Sequence, residues 1–353
     1  MARTLRSLPL IVSLAASLGL CFAQTGPTVG TSVNNAPAAS AILDYWTPDR
    51  LQSALPPPEE EIAAPGFVSP PAGPVEPAVE VPSWAPSTPA ASSAAPEIGV
   101  ATAAPPPEAF ENQYPYPFTR FNDYRHLYAS NQIPPVFPYK AVGKIFFTLN
   151  GSNFVCSGSV IRPHLVLTAR HCIFNYINPS GGSFATNVVF YPGWYHGGNG
   201  LLHNGWAARK LATWVSNAPG HQYDIGFIQT FDDDGVGCGG SQGGHPIEFY
   251  TGYLGYQVGG DSHKSHLDMF GYPAAAPFTG QVMVESQGSP GADNPFGNIN
   301  TYSAGNDMTG NVNLAYGLNS FRFLARPLEL VSPKFLSTNF TPLLNGAIGL
   351  PCP

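Results

Sequence analysis

The sequence contains 353 residues, of which 43% are hydrophobic, 12% aromatic and only 10% charged, and it includes 38 glycines and 38 prolines. The 15 lysines and arginines and 22 aspartates and glutamates give a net charge of -7, so we expect no nucleic-acid partner. The charged fraction is well below the roughly 25% of an average globular protein, and so much glycine and proline favours turns and short strands. The composition therefore excludes an all-helical fold.

The first 23 residues are predicted to be a secretory signal peptide. Arg3 and Arg6 precede an apolar run at positions 8–20, and Cys21 and Ala23 supply the small side chains at the two ends of a cleavage triplet. This run is shorter than the roughly 20 residues that cross a bilayer, and no later stretch is longer. We therefore expect a secreted, extracellular protein without a membrane-spanning segment.

Cleavage of the signal peptide leaves four cysteines: Cys156, Cys172, Cys238 and Cys352. In an oxidising compartment an even number of cysteines predicts two disulfides, and four cysteines allow three pairings. Two Asn-x-Ser/Thr sequons, at Asn150 and Asn339, are consistent with secretion.

Residues 24–113 are predicted to form a disordered pro-segment or linker. Positions 24–110 contain 18 of the 38 prolines and no lysine. A segment of this composition buries too little apolar surface to offset the entropy lost on ordering. The prediction is therefore an extended arm with, at most, local polyproline structure.

The remaining residues, 114–353, are predicted to form a single all-β domain. Short β-branched and aromatic runs alternate with clusters of Gly, Pro and Asn, for example at 142–149, 159–168, 187–191 and 225–230. Runs of this length favour an antiparallel sandwich or a pair of barrels.

The stretch from Leu165 to Cys172 is the most informative motif. An apolar strand ends in Thr-Ala-Arg-His-Cys, which places the imidazole of His171 at the strand end, and Cys156 lies 16 positions before Cys172. A second motif, Asp224 directly before an apolar strand, follows His171 by 53 positions.

These two motifs resemble the chymotrypsin-fold serine proteases. The resemblance implies two antiparallel six-stranded β-barrels, with His171 as the catalytic base and Asp224 as its orienting acid. It also implies a disulfide between Cys156 and Cys172. Family members usually have Ala or Gly where this chain has Arg170.

The nucleophile motif of the family, Gly-x-Ser-Gly-Gly, is missing. Asp307-Met308-Thr309-Gly310 resembles the secreted glutamyl-endopeptidase-like branch, in which this run leads into the nucleophilic serine. An ungapped alignment places Asn313 at the nucleophile position, and an Asn carboxamide cannot attack a carbonyl. Asn306 replaces a cysteine that this branch often has, and we therefore expect Cys238 to pair with Cys352.

A second alignment treats the nucleophile segment as deleted. In this alignment residues 315–321 resemble the strand that helps to form the substrate pocket, and the substrate-binding candidates are Tyr316, Gly317, Leu318 and Asn319. The resemblance also implies activation by cleavage near the first barrel, for which the cut could follow Arg125 or Lys140.

Two functional hypotheses follow. The first is a secreted protease homologue that is inactive as written and binds peptides or protease inhibitors. The alternative is an active extracellular endopeptidase whose Gly-Ser-Gly-Gly segment is absent because of a splicing or gene-model fault. Under either hypothesis the partner is a peptide, a protein substrate or a protease inhibitor, and we expect a monomer without a cofactor. We also expect no metal, because the histidines lack the clustering of a zinc site.

Overall fold

A computed structural model of the chain describes residues 26–33, 39–57, 61–62, 75–86, 118–120, 137–177, 181–194, 205–218, 221–236, 244–260, 267–274, 278–281, 283–288, 298–301, 306–308, 314–315, 321–323 and 326–348. The predicted signal peptide lies outside these residues, as do Cys238 and Cys352.

The strands, in chain order, are β1 (Thr28–Val33), β2 (Glu61–Ile62), β3 (Val79–Val81), β4 (Phe118–Arg120), β5 (Val142–Leu149), β6 (Ser152–Arg162), β7 (Leu165–Thr168), β8 (Phe174–Ile177), β9 (Gly181–Phe184), β10 (Thr186–Pro192), β11 (Trp206–Ser216), β12 (Gly226–Thr230), β13 (Gly255–Val258), β14 (Leu267–Gly271), β15 (Val284–Gly288), β16 (Asn298–Thr301), β17 (Asn306–Met308), β18 (Leu314–Ala315), β19 (Phe321–Phe323) and β20 (Arg326–Pro333). The α-helices are α1 (Ala39–Tyr45), α2 (Pro48–Ser53), α3 (Ile247–Thr251) and α4 (Thr341–Ile348). Single 3-10 turns form at Tyr139–Ala141, Arg170–Cys172 and His221–Tyr223.

Six antiparallel strands close into a barrel. The order is β11-β10-β5-β6-β7-β12, and β12 pairs back with β11. Side chains with no exposed surface fill the core, among them Ile145, Phe190, Leu167 and Phe227. The all-β class is therefore confirmed, and this barrel is the first of the two that the resemblance implies.

Burial is continuous along the first six residues of β5 rather than alternating. A strand covered on one face alternates between buried and exposed positions, so unbroken burial means that both faces are covered. Phe146 shows how, because its ring lies 5.5 Å from that of Trp46 and 4.8 Å from that of Trp194.

The second half of the chain contributes three smaller sheets. β13 lies between β18 and β3, a second sheet has the order β17-β14-β15-β4, and a third has the order β16-β20-β19-β2. Much of the expected second barrel falls outside the described residues. No helix in the described ranges has both the length and the hydropathy that a bilayer span requires.

Within the predicted pro-segment or linker (24–113), the structure describes residues 26–33, 39–57 and 75–86. These residues form β1, α1, α2 and β3, which pack on the barrel and on β13. The composition argument averaged over the whole segment, whereas Ile42, Trp46 and Leu51 are concentrated in one short stretch and are all buried. The rest of the segment, apart from 61–62, lies outside the described residues.

The two sequons differ in their surroundings. Asn150 is exposed at the tip of the β5–β6 hairpin, where it and Gly151 have positive φ angles of 52° and 81°. Asn339 is buried, and its amide donates to the carbonyl oxygens of Gln222 and Lys334 and accepts from the backbone N–H of Leu336. A glycan is compatible with this fold at Asn150 and incompatible with it at Asn339.

Asn339→Ala should lower the free energy of unfolding by about 2–4 kcal/mol, because it leaves three partly buried backbone groups without their partner. Urea unfolding at equilibrium measures the change. The neighbouring exposed Thr338→Ala is the matched control and should change stability by less than about 0.5 kcal/mol. Equal effects of the two substitutions would show that the Asn339 hydrogen bonds do not stabilise the fold.

Lys144 is a buried cation within the barrel wall. Its side chain is almost completely enclosed, its Nζ donates to the carbonyl oxygen of Gly280 at 2.8 Å, and the rings of Phe146 and Trp194 lie 4.9 and 5.2 Å from it. Burial lowers the pKa of Lys144 from 10.5 to about 7. The hydrogen bond and the ring contacts therefore offset only part of the cost of burying the charge.

Lys144→Met should raise the unfolding midpoint more at pH 6 than at pH 10. Between pH 7 and 10.5 the folded chain binds fewer protons at this position than the unfolded chain does, so the cost of burying Lys144 is greatest below pH 7 and falls as the pH rises. Thermal unfolding at the two pH values measures the difference. A gain that is the same at both would mean that charge burial is not its cause.

Candidate active site

The strand pair β7–β12 builds the candidate site. The two strands are antiparallel, and Thr168 at the end of β7 pairs with Gly226 at the start of β12. His171 follows β7 by three positions and Asp224 precedes β12 by two, so both lie at the same edge of the barrel. The predicted His171 and Asp224 are thus brought together from positions 53 residues apart in sequence.

Asp224 holds His171 by two hydrogen bonds. Its Oδ2 lies 2.9 Å from the imidazole Nδ1, and its Oδ1 accepts the backbone N–H of His171 at 2.9 Å. The Asp224 side chain is 6% exposed, whereas that of His171 is 41% exposed. A proton on Nδ1 is therefore directed to the carboxylate, which leaves Nε2 with the lone pair that a general base uses.

The main chain before β12 is held from a neighbouring strand. The buried hydroxyl of Thr213 in β11 donates to the carbonyl oxygen of Ile225 at 2.7 Å. Gly226 leaves room for the turn after β7, because a Cβ atom there would lie 2.6 Å from Cδ1 of Ile173. These contacts fix the backbone on which Asp224 is carried.

A disulfide joins Cys156 and Cys172, as predicted, with 6.1 Å between their Cα atoms. Cys156 lies in the middle of β6, and Cys172 ends the 3-10 turn that carries His171. The bond ties this turn to the barrel wall beside the histidine. The predicted pair Cys238–Cys352 falls outside the described residues.

Arg170, noted in the sequence as a departure from the family pattern, is buried next to His171. Its guanidinium lies 4.1 Å from the centre of the Tyr176 ring and donates to the carbonyl oxygen of Ala218 at 3.1 Å. The backbone N–H of Ala218 in turn donates to the Tyr176 hydroxyl at 3.2 Å. Arg170 therefore links the histidine turn to the chain that follows β11. The sequence flagged the position but gave no signal for Tyr176.

The structure describes only part of the predicted nucleophile and pocket region. Asn313, Tyr316, Gly317, Leu318 and Asn319 lie outside the described residues. The two positions that the ungapped alignment matches to glycines, 314 and 315, form β18, which pairs in parallel with β13. Ala315 is completely buried.

A second histidine contacts carboxylates at the opposite end of the same strand pair. His164 precedes β7, and its Nδ1 lies 3.3 Å from Oδ1 of Asp232, while its Nε2 lies 3.9 Å from Oε1 of Glu248. All three residues are buried, and burial raises the pKa of Glu248. The sequence gave no signal for this cluster, which connects the barrel to α3.

Within the part of the chain that the structure describes, the ligand atoms that lie close enough to share a metal ion belong to Cys156, His171 and Cys172. Both sulfurs are bonded in the disulfide and supply no thiolate. This group therefore offers a single imidazole nitrogen, which is too few ligands for a protein metal site.

Two solved structures share this fold over their full length. A protease named Anisep from Arthrobacter nicotinovorans is 26% identical, with a TM-score of 0.51, and the match covers 62% of this chain and 99% of that one. A thermostable serine protease, AL20, from an extremophilic microorganism is 25% identical, with a TM-score of 0.52, and the match covers 62% of this chain and 100% of that one. No family model and no curated protein matches the chain. The chain therefore has the chymotrypsin-like fold and is a structural homologue of trypsin-like serine proteases.

Replacement of both Cys156 and Cys172 by serine should lower the free energy of unfolding by about 3 kcal/mol, the value for a cross-link that closes a loop of roughly 15 residues. Equilibrium unfolding in urea measures this loss. Addition of a thiol reductant to the unsubstituted chain should cause at least this loss, and any loss that it causes in the double variant would come from the predicted Cys238–Cys352 bond. A double variant as stable as the parent would contradict the stabilising role of the disulfide.

Proposed function

We propose that this chain is a secreted serine-endopeptidase homologue that binds peptides or protease inhibitors and does not cleave peptide bonds. The observation that carries the proposal is the contrast between a complete His171–Asp224 pair and a sequence with no Ser-Gly-Gly after Asp224. The disulfide between Cys156 and Cys172 supports an extracellular location.

The retained pair supplies proton transfer and nothing more. In an active relative the serine hydroxyl attacks the scissile carbonyl, the histidine takes and later returns the proton, and the aspartate holds the imidazole in the required tautomer. His171 and Asp224 have the geometry for the last two roles. Without an alcohol for His171 to deprotonate, no acyl-enzyme forms.

The oxyanion hole is also affected. In the ungapped alignment Leu314 and Ala315 occupy the positions of the two glycines that follow the nucleophile, and both residues lie in β18 rather than in an open turn. A tetrahedral intermediate is stabilised by backbone N–H groups that point at its oxyanion, as those of the family's Gly-x-Ser-Gly-Gly turn do. Loss of one member of a catalytic triad lowers turnover by up to roughly a million-fold, and the residual rate depends on the oxyanion hole.

A second candidate is an active endopeptidase whose nucleophile segment is missing from this sequence. The observation in its favour is the complete support of the histidine by Asp224, by the disulfide and by Arg170. In this hypothesis the cleavage preference for acidic residues follows from the resemblance to the glutamyl-endopeptidase-like branch. Transcript sequencing across the codons for Gly310 and Asn311 distinguishes the two candidates, since an additional segment encoding Ser-Gly-Gly would decide for the active enzyme.

The purified protein should neither react with a fluorophosphonate probe nor digest unfolded casein, because no activated serine is present. Intact mass spectrometry measures probe attachment, and release of soluble peptides measures digestion. Peptides that bind should be recovered at their original mass.

The matched variant for this test is His171→Ala. Stoichiometric probe attachment that is lost in His171→Ala would overturn the proposed inactivity and support the second candidate. Weak digestion that is unchanged in His171→Ala would come from a contaminating protease and leave the proposal standing.

A further inference from the structure

The first segment of the chain pairs with an edge of the barrel that no barrel strand covers. β10 pairs with β11 only at Trp206 and Ala207. Further along the same strand, β1 pairs antiparallel with β11 from Lys210 to Ser216. An uncovered strand edge is a template for pairing with another chain, so β1 removes an exposed edge from the barrel.

The helices after β1 bury large side chains against the outer face of the barrel. Ile42 and Trp46 are each 4% exposed. The indole N–H of Trp46 donates to the carbonyl oxygen of Asn187 at 2.6 Å, and the Tyr45 hydroxyl donates to Oδ1 of Asn153 at 2.9 Å. A buried aromatic side chain that also makes a hydrogen bond stabilises a contact strongly.

A second group of contacts attaches the same segment elsewhere. The backbone of Leu55 pairs with β6, through hydrogen bonds of 3.1 Å to the Asn153 carbonyl oxygen and 2.9 Å from the Val155 N–H. β3 pairs antiparallel with β13, and the rings of Trp84 and Tyr253 stack with their centres 5.9 Å apart. We call residues 26–33, 39–57 and 75–86 the strap, since the first two ranges contact the barrel and the third contacts β13.

The geometry points to the strap as a permanent, non-covalently bound component of the protein rather than a removable pro-segment. The strap binds three surfaces of the rest of the chain: the edge of β11, the outer face of β10 and the edge of β13. Cleavage between residue 87 and the barrel produces a two-chain protein that stays assembled. Residues 24–155 contain no cysteine, so no disulfide within the mature chain can hold the strap.

One property supports retention after cleavage, and a second concerns the position of the cut. The strap contacts both the barrel and β13, so when one of these contacts opens, the other keeps the fragment close and the first forms again at a high effective concentration. Of the two activation sites considered from the sequence, Lys140 is 5% exposed in the turn that leads into β5, which shields its peptide bond from a protease. A cut before β5 leaves the whole strap on the amino-terminal fragment.

The test uses the full chain with a recognition sequence for a site-specific protease, flanked by Gly-Ser spacers, inserted between Ala104 and Pro105. After folding and cleavage, both fragments should co-elute from gel filtration in a 1:1 ratio and separate only in denaturant. Elution of the amino-terminal fragment alone under native conditions would overturn the inference. This result does not depend on whether the protein is an active enzyme, because binding is measured and not turnover.

A matched pair of glycine substitutions tests the β1 anchor without cleavage. A Cβ at Gly30 would lie 2.4 Å from Cγ1 of Val215, whereas nothing lies within 4 Å of a Cβ at Gly26. Valine favours strands, so only the steric clash can make Gly30→Val harmful. Gly30→Val should lower the unfolding midpoint and release the cleaved fragment at lower denaturant, and Gly26→Val should behave like the parent. Identical behaviour of the two variants would overturn the inference.

Discussion

The register of one antiparallel strand pair determines the candidate site. Because Thr168 pairs with Gly226, the residues that follow β7 and those that precede β12 meet at one edge of the barrel. A register shift of one residue would turn the side chains of β12 to the opposite face and separate His171 from Asp224. The disulfide, the Thr213 hydroxyl and the Arg170 contacts all act on the loops at this edge. They preserve a geometry that the strand register creates.

The same strand pair carries a histidine and a carboxylate at each end, in contrasting surroundings. His171 is partly exposed and has its partner on one side of the ring, an arrangement that permits proton exchange with a bound molecule. His164 is enclosed between Asp232 and Glu248 and joins the barrel to α3. Similar residue types therefore form the candidate catalytic pair at the exposed end of the strands and a structural contact at the buried end. The difference between them is the exposure of the histidine.

The composition and the short apolar runs predicted the all-β class, and the family resemblance, which rests on two short motifs next to strands, implied the barrel, the contact between His171 and Asp224 and the Cys156–Cys172 bond. The strap could not be predicted in the same way. β3 is three residues long and is stable only through its pairing with β13, which is distant in sequence. The role of Arg170 also required the structure, since its contact Tyr176 lies in β8 and its contact Ala218 lies in the chain that follows β11.

The strap also brings the two ends of the described chain together. α4 packs on β1 and β11, and a Cβ at Gly346 would lie 3.1 Å from Cγ1 of Val29. Chains whose terminal segments adjoin tolerate circular permutation when the new opening falls in an exposed loop. A short linker would join these ends, and the new termini would lie at the exposed Asn150–Gly151 tip. Every strand pairing of the barrel would remain, and only the covalent connection between β5 and β6 would be lost.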